Sequence, residues 1–450
     1  MKRDISKLIP SGRFSLGYLL VSLPVRLAYL FFYRRITIIG SDKIPKGGKV
    51  IFTANHQNSL MDALVLVCTT FHQSVFLARA DIFKKPAIAR ILKFFKISPV
   101  YRMRDGMDTL DNNSGVFDSA SDILNSGGYI GIFPEGNHAG FRRLRPLVKG
   151  AFRIAFQSAM KSSSNKPVWI QPLGIDYSSY QSPGSLQTIC YAEPINVNDY
   201  LEAYKLNPAE AINKLKNELS VRIKQQIIHI GNETHYDFIL HIRMLLLQSP
   251  LKKILGKDHK TAYRKTQSII TKSDALAETA DAGFIEMKAR FEEYIQCTKK
   301  LNINSFSIAN KQNNFLIAIQ LLYSIFIGLP VIIINDIIHF IPGRIAMRLS
   351  KIPKDTQFIS SFMFVGGLVA YPLYYLILIG ILVAIGVPAL YSLSVFVGLP
   401  LLFLWKRISK PIMKRMLSKI RAIKLKRSDR QLFQKLYDFE TIFADYLNAL

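Results

Sequence analysis

The 450-residue sequence is short of acid and of cysteine. Asp and Glu number 31 against 59 Lys and Arg, a formal net charge of +28. Its three cysteines, Cys68, Cys190 and Cys297, lie far apart and form no Cys-x-x-Cys pair. That spacing argues against a disulfide framework and a cysteine-based zinc site, and reads as three buried thiols in a reducing compartment. Charged residues are only 20% of the chain and apolar ones 49%, which excludes a disordered basic tail. So positive a balance flags nucleic acid or an anionic membrane, but no nucleic-acid reader module accompanies it. His72, His229, His235, His241, His259 and His339 show no ligand spacing, so no metal is expected. Ser59 sits outside any Gly-x-Ser-x-Gly elbow, which sets aside a serine hydrolase.

Charge itself is missing from 357 to 405, 49 residues in a row. A membrane-spanning helix needs about 20 apolar residues, so this run predicts two spans with a tight turn at Pro388 or Ser392–Ser394. A second uncharged run, 312–335, has 24 residues, enough for one span. Residues 406–430 carry eleven Lys and Arg and one acid, and 344–355 carry Arg344, Arg348, Lys351 and Lys354 against Asp355. Both basic flanks read as cytoplasmic by the positive-inside tendency. The 357–405 hairpin satisfies that tendency. A single crossing by 312–335 would not, so that segment is expected to be re-entrant, buried or interfacial, or else split at Pro330 into two short passes. Near the N-terminus, Phe14–Tyr33 is apolar except for Arg26 and is followed by no small-residue cleavage site. It predicts an attached interfacial helix, with a transmembrane anchor as the alternative.

Between Ile36 and about Ile230 short apolar runs alternate with helical periods. Ile36–Ile39, Val50–Ala54, Val75–Ala78, Val100–Tyr101, Tyr129–Phe133 and Val168–Pro172 read as strands. Ser59–Phe71, Ala87–Phe95, Phe117–Asn125 and Ala151–Ala159 read as helices. This is an α/β layer pattern, helices packed on a sheet. Asn207-Pro208-Ala209-Glu210 predicts a helix start with an Asn cap and a capping box, its apolar face being Ile212, Leu215, Leu219 and Ile223. The organisation expected is a membrane-associated helix (1–35), the α/β domain (36–235), a charged helical linker (236–311), the transmembrane region (312–405) and a basic amphipathic tail (406–450).

Four blocks carry chemistry. In Ala54-Asn55-His56-Gln57-Asn58-Ser59-Leu60-Met61-Asp62 a buried strand ends and a His and an Asp follow. A carboxylate that fixes one nitrogen of a neutral His leaves the other free to take a proton from a hydroxyl. Ser59-x-x-Asp62 also matches a capping box, so Asp62 alternatively caps a helix. In Ile132-Phe133-Pro134-Glu135-Gly136-Asn137-His138 a strand ends in a Gly-containing turn backed by Arg142, Arg143, Arg145 and Lys149, an anion cradle or else a solvated basic turn. Pro99–Gly106 places Arg102 and Arg104 at another strand end, and Ile170–Ile175 is followed by Tyr191–Ile195.

In order and spacing these blocks resemble the glycerolipid (PlsC-like) acyltransferase superfamily over about residues 36–235. In that family four residues separate the His and the Asp, and here five do. The third block is usually followed by Thr or Ser, and here by Asn137. The resemblance implies an α/β acyltransferase domain, a mixed sheet flanked by helices, joined here to C-terminal transmembrane helices. It implies His56 as general base on the acceptor hydroxyl and Asp62 as its orienting partner. Arg102 and Arg104 would grip the glycerol phosphate. Glu135 and Gly136 would shape the acceptor site, Arg143 and Lys149 would support it, and Pro172 would line the acyl-chain side. The implied reaction takes a fatty acyl group from acyl-CoA or acyl carrier protein, with no bound cofactor, to a glycerol-phosphate hydroxyl in phospholipid biosynthesis. Lysophosphatidate, giving phosphatidate, is the favoured acceptor; glycerol-3-phosphate or another lyso-lipid stays open. A catalytically inactive lipid-binding membrane scaffold is the alternative of another class. The expected location is a bacterial inner membrane, with the catalytic domain on its cytoplasmic face.

Overall fold

The structure, a computed structural model, describes residues 10–47, 49–101, 112–136, 140–161, 166–247, 255, 258–303, 308 and 314–450. Two compact units divide the chain. The first runs to Ile228 and also takes in Pro353–Ser361; the second holds His229–Ile352 and Phe362–Leu450.

The first unit is built on a mixed eight-stranded sheet. Its strands are β1 (Arg35–Ile39), β2 (Lys49–Ala54), β3 (Val75–Arg79), β4 (Ile97–Val100), β5 (Tyr129–Ile132), β6 (Val168–Tyr177), β7 (Leu186–Tyr191) and β8 (Ile195–Asn196). The order is β1-β7-β6-β2-β5-β3-β4, with β8 also on β6. β2 is parallel to both β5 and β6, whereas β6 is antiparallel to β7 and β8. Every residue of β2 is buried, as a central strand covered on both faces requires. Helices α1 (Leu16–Phe32), α2 (Ser59–Thr69), α3 (Pro86–Phe94), α4 (Asn112–Asn125), α5 (Gly150–Met160), α6 (Leu201–Leu206) and α7 (Pro208–Lys224) complete the unit. α4, α5 and α7 share one core with Ile51, Ile130 and Ile170 of the sheet. α2 covers the other face, where a Cβ on Gly131 would meet Leu66 and the Phe76 ring.

Six of the eight strands overlap the expected runs, though β4 is Ile97–Val100 and leaves out Tyr101, β6 continues to Tyr177 and α4 starts at Asn112; β7 and β8 match none of those runs. At α7 the Asn207 side chain accepts from the Glu210 N–H at 3.2 Å, Pro208 opens the helix, and Ile212, Leu215, Leu219 and Ile223 are buried. The back-bond of the capping box does not form: the Asn207 N–H goes to Ala203 O, because α6 ends there. Of the thiols only Cys190 is buried; Cys68 and Cys297 are half-buried, a correction to the expectation of three buried ones.

α1 is 17 residues long, about 26 Å at 1.5 Å per residue. One face is pinned to the domain: Tyr29 is buried with its hydroxyl on Gln187, and Arg26 donates to Thr70 O. Leu16, Leu20, Leu23, Leu27 and Leu30 form an exposed stripe on the other face. That two-sidedness is the pattern of an interfacial helix.

In the second unit α8 (Tyr236–Leu246), α9 (His259–Glu278) and α10 (Ala282–Lys300) are joined by the last helix, α17 (Arg430–Ala449). The Tyr294 hydroxyl donates to buried Glu440 at 2.7 Å, and the Phe291 and Phe443 rings stack at 5.4 Å. Three stretches, Phe315–Ile338, Thr356–Ala384 and Ala389–Ser428, are long and apolar enough to cross a membrane. The first comprises α11 (Asn314–Tyr323), a π turn (Ser324–Gly328) and α12 (Leu329–Ile338). Pro330 does not split it. Proline removes one backbone donor, and the wider turn just before it accommodates the loss. α13 (Phe340–Leu349) follows, then α14 (Ile359–Ala384), the short α15 (Ala389–Ser392) and α16 (Val395–Ser428). α16 continues unbroken past Trp405 into the basic stretch, so residue 406 begins no separate element.

The turn just after α7 packs so closely on β6 that no room is left for a Cβ at Gly174, which would stand 2.6 Å from the Gln226 backbone. Gly174→Ala should therefore lower stability by about 1–3 kcal/mol, read as a lower melting temperature.

Candidate active site

The site forms where parallel strands end. β2 and β5 are neighbours, with Thr53 opposite Ile132, so the chain leaving each enters the same crevice. His56 follows β2 and Glu135 follows β5. β6 runs parallel to β2 and brings Tyr177 to the same end of the sheet.

His56 Nδ1 lies 2.9 Å from Asp62 Oδ2. Asp62 is 1% exposed. Its Oδ2 also accepts the Gln57 and Asn58 N–H groups at 2.8 and 2.7 Å, and its Oδ1 accepts the Tyr177 hydroxyl at 2.7 Å. A carboxylate only accepts, so the shared proton sits on Nδ1 and Nε2 is the basic nitrogen of the ring. The His56 ring stacks on Phe133, centroids 4.2 Å apart. Burial, then the negative charge of Asp62, holds the Tyr177 hydroxyl well above its ordinary pKa, so it stays protonated and donates.

The cap and the His–Asp pair are one object. Asn58, not Ser59, is the residue before α2, and Asp62 takes its N–H while also taking His56. Five intervening residues still let the two side chains meet because Ser59 adopts a left-handed backbone, φ 45°. That conformation costs a non-glycine residue about 1–2 kcal/mol.

Glu135 binds the two loops together. Its Oε1 accepts the His56 N–H at 2.7 Å and its Oε2 the Arg145 N–H at 3.0 Å. Gln57 Nε2 donates to Arg143 O at 3.0 Å beside them. Burial pushes the Glu135 carboxyl up to about 7, against the pull of those two N–H groups. Gly136 has φ +65° and is exposed at the turn.

Arg142 is not part of an anion cradle. It is buried, its Nη1 lies 2.5 Å from Asp176, its Nη2 donates to Tyr177 O, and its guanidinium covers the Tyr180 ring at 4.7 Å. Arg143 is half-buried and Lys149 exposed. Pro172 is buried in β6 opposite Thr53, its carbonyl accepting the Ala192 N–H. Arg102, Arg104 and Asn137 lie outside the described residues. Among the described residues no group of three or more His, Cys, Asp or Glu could hold a metal ion. Tyr177 was not singled out from the sequence. Its signal was faint, a polar hydroxyl ending a buried apolar strand.

The geometry defines a class: a His–Asp pair in a strand-end crevice, suited to accepting a proton from a hydroxyl. Residues 35–176 match the family model described as Acyltransferase, and this part of the chain is a domain of that family. Over 110 residues the chain is 32% identical to a glycerol-3-phosphate O-acyltransferase 2 of Saccharomyces cerevisiae, covering 24% of this chain and 15% of that protein. Over 143 residues it is 24% identical to a 1-acyl-sn-glycerol-3-phosphate acyltransferase of Borreliella burgdorferi, covering 32% of this chain and 55% of that one. The matches thus span well under two thirds of either relative. The crystal structure of the 1-acyl-sn-glycerophosphate acyltransferase PlsC from Thermotoga maritima aligns with TM-score 0.31 and 19% identity, over 46% of this chain and 80% of that one.

Because Glu135 titrates near 7 when folded and near 4.5 ordinarily, the folded protein holds an extra proton between those pH values. Its contribution to stability is present at low pH and is lost as pH rises from about 4.5 through 7, by on the order of 3 kcal/mol. Glu135→Gln should remove that fall. Melting temperature against pH for both proteins tests it, and parallel curves would contradict it.

Proposed function

We propose that the protein is a membrane acyltransferase that moves a fatty acyl group from a thioester donor to a hydroxyl of a glycerol-phosphate acceptor, with lysophosphatidate favoured over glycerol-3-phosphate or another lyso-lipid. The single observation that carries this reading is the His56 Nδ1–Asp62 contact of 2.9 Å. With Nδ1 committed, Nε2 takes the proton of the acceptor hydroxyl. The oxygen attacks the thioester carbonyl carbon, the C–S bond breaks, and the imidazolium returns the proton to the departing thiolate. Asp62 stabilises the imidazolium between those steps. Acyl-CoA or acyl carrier protein supplies the thioester, and no bound cofactor enters. An acceptor phosphate carries about −1.5 to −2 charge at neutral pH, which Arg143, Lys149, Arg102 and Arg104 would balance. Glu135 and Gly136 would shape the acceptor pocket, and Pro172 would serve the acyl side.

The location proposed is a bacterial inner membrane, with the catalytic unit on the cytoplasmic face. Segment 353–361 folds as part of the first unit, so the chain leaves that unit after Ile228 and rejoins it before α14 begins. An even number of crossings must lie between. Among the described residues one span-length apolar stretch lies there, α11–α12. It is read as re-entrant, entering and turning back through α13. Contacts within the second unit support this. Tyr374 donates to Ile338 O at 2.7 Å and His339 meets the Tyr375 hydroxyl at 3.0 Å, midway along α14. Then Gly343 lies near Tyr371, and Ala346 and Leu349 pack on Gly366. α13 thus runs back along α14 towards its start. Among the described residues α14 and α16 would form a complete hairpin, placing both basic flanks on one face, as the positive-inside tendency asks.

His56→Ala, purified and folded, should lose about 10²–10⁴-fold in acyl transfer. The assay offers glycerol-3-phosphate and lysophosphatidate in parallel with both donor types, and retained activity would remove His56 as the base. For topology, single cysteines replace Asn213, Lys354 or Tyr391 in a Cys68→Ala, Cys297→Ala chain and are probed with an impermeant maleimide. Asn213→Cys and Lys354→Cys should label from one face and Tyr391→Cys from the other. Labelling of Asn213→Cys and Tyr391→Cys from one face, with Lys354→Cys opposite, would mean three crossings.

A further inference from the structure

The catalytic loop has a partner some three hundred residues downstream. Ser360, in the first turn of α14, donates its hydroxyl to Asn58 Oδ1 at 2.6 Å. Both residues are 1% exposed. Asn58 Nδ2 donates in turn to Tyr180 O at 3.0 Å, and the Asn58 N–H is one of the three donors on Asp62 Oδ2. Gln357, one turn earlier, brings its Nε2 within 3.6 Å of where a Cβ on Gly140 would stand, beside the second loop.

We propose that Ser360 is a positioning residue of the active site, holding Asn58 so that Asp62 stays aimed at His56. This rests on the acyltransferase reading. The argument starts from the loop itself. It spends five residues between His56 and Asp62 and closes only with Ser59 in a left-handed conformation. Such a loop returns to a relaxed backbone unless its flanks are fixed. On one flank Asn55 is fixed to the Ile175 backbone by both ends of its amide, 2.9 and 2.7 Å. On the other flank the Asn58 amide does the same work, but only its nitrogen end is held by the sheet domain's own chain. Its oxygen end is held by Ser360. Remove that hydroxyl and a buried amide oxygen loses its donor. The Asn58 peptide then moves to seek another, and Asp62 Oδ2 loses aim and a donor together. The chain of effect is Ser360 to Asn58 to Asp62 to His56, each link a single hydrogen bond. Ser360 lies outside the 35–176 family match.

The test uses the full-length protein. Ser360→Ala should lower kcat about tenfold, the scale of one lost bond to a buried acceptor, with the acceptor KM little changed. The acid limb of the kcat/KM profile should move to lower pH, since a carboxylate that has lost its aim holds the imidazolium less strongly. Asn58→Ala should produce the same changes, and adding Ser360→Ala to it should do nothing more. A second readout needs no turnover: the downfield proton resonance of His56 Nδ1–H, identified by its absence in His56→Gln, should shift in Ser360→Ala. If the wild type transfers no acyl group from any donor, the acyltransferase reading fails and the resonance alone decides the positioning role. A wild-type resonance with wild-type kcat per folded enzyme, or additive effects of the two substitutions, would overturn the proposal even if the melting temperature falls.

Discussion

The buried carboxylate of Asp62 is the constraint on which the first unit's working end depends. A carboxylate taken out of water costs several kcal/mol unless donors surround it. Asp62 has four: the His56 ring, two consecutive backbone N–H groups and the Tyr177 hydroxyl. These come from the loop after β2 and the end of β6, and Asp62 itself sits in the first turn of α2. Satisfying one charge therefore fixes three pieces of chain relative to one another. The helix is capped, the His tautomer is set and the strand end is tied down by the same oxygen atoms.

A second carboxylate, Glu135, is handled differently, and the contrast is informative. Its donors are both backbone N–H groups, one on the loop after β2 and one on the loop after β5, and no cationic side chain bonds to it among the contacts described. Two neutral donors do not fully offset burial, and the negative charge of Asp62 opposes ionisation as well, so its carboxyl rises to about 7. Two carboxylates in one crevice are thereby kept apart in character. Arg142 goes to a third, Asp176, and so anchors the loop that carries Arg143 and Lys149 without offering its own charge to the crevice.

Local chemistry was legible in the sequence and long-range pairing was not. Apolar runs bounded by Gly, Pro and Asn gave the strands near their true ends, and Asn207-Pro208 marked α7, because those signals act within a few residues. The two readings of Asp62, cap or His56 partner, do not exclude each other, since its carboxylate meets both the Asn58 N–H and the His56 ring. The five-residue spacing was legible as an oddity, but its solution at Ser59 depends on backbone geometry that no residue type announces. Tyr177 and Ser360 were invisible for a different reason. Each acts through a single hydrogen bond across 115 or 302 positions, and an isolated Tyr or Ser carries no pattern. Arg142 misled because a sequence shows charge but not the partner that has already claimed it.

The same distance in sequence explains the membrane segment. The charge pattern posed a conflict: two basic flanks on one face and an apolar stretch between them and the catalytic unit. Hydropathy alone leaves it standing, since 24 apolar residues are long enough for a crossing. What hydropathy omits is the return path. α13 is only ten residues long and carries Arg344 and Arg348, so composition does not mark it as a membrane element. Its register against α14, from Tyr375 back to Gly366, is what reads as a descent. A polar cluster of Asn335, His339 and Tyr375 sits at the turn, each group bonded to the next. Polar side chains at membrane depth persist where they satisfy one another. A re-entrant tip needs such a cluster, because the helix break between Ile338 and Phe340 exposes backbone groups that lipid cannot satisfy, and the Tyr374 hydroxyl on Ile338 O meets that need.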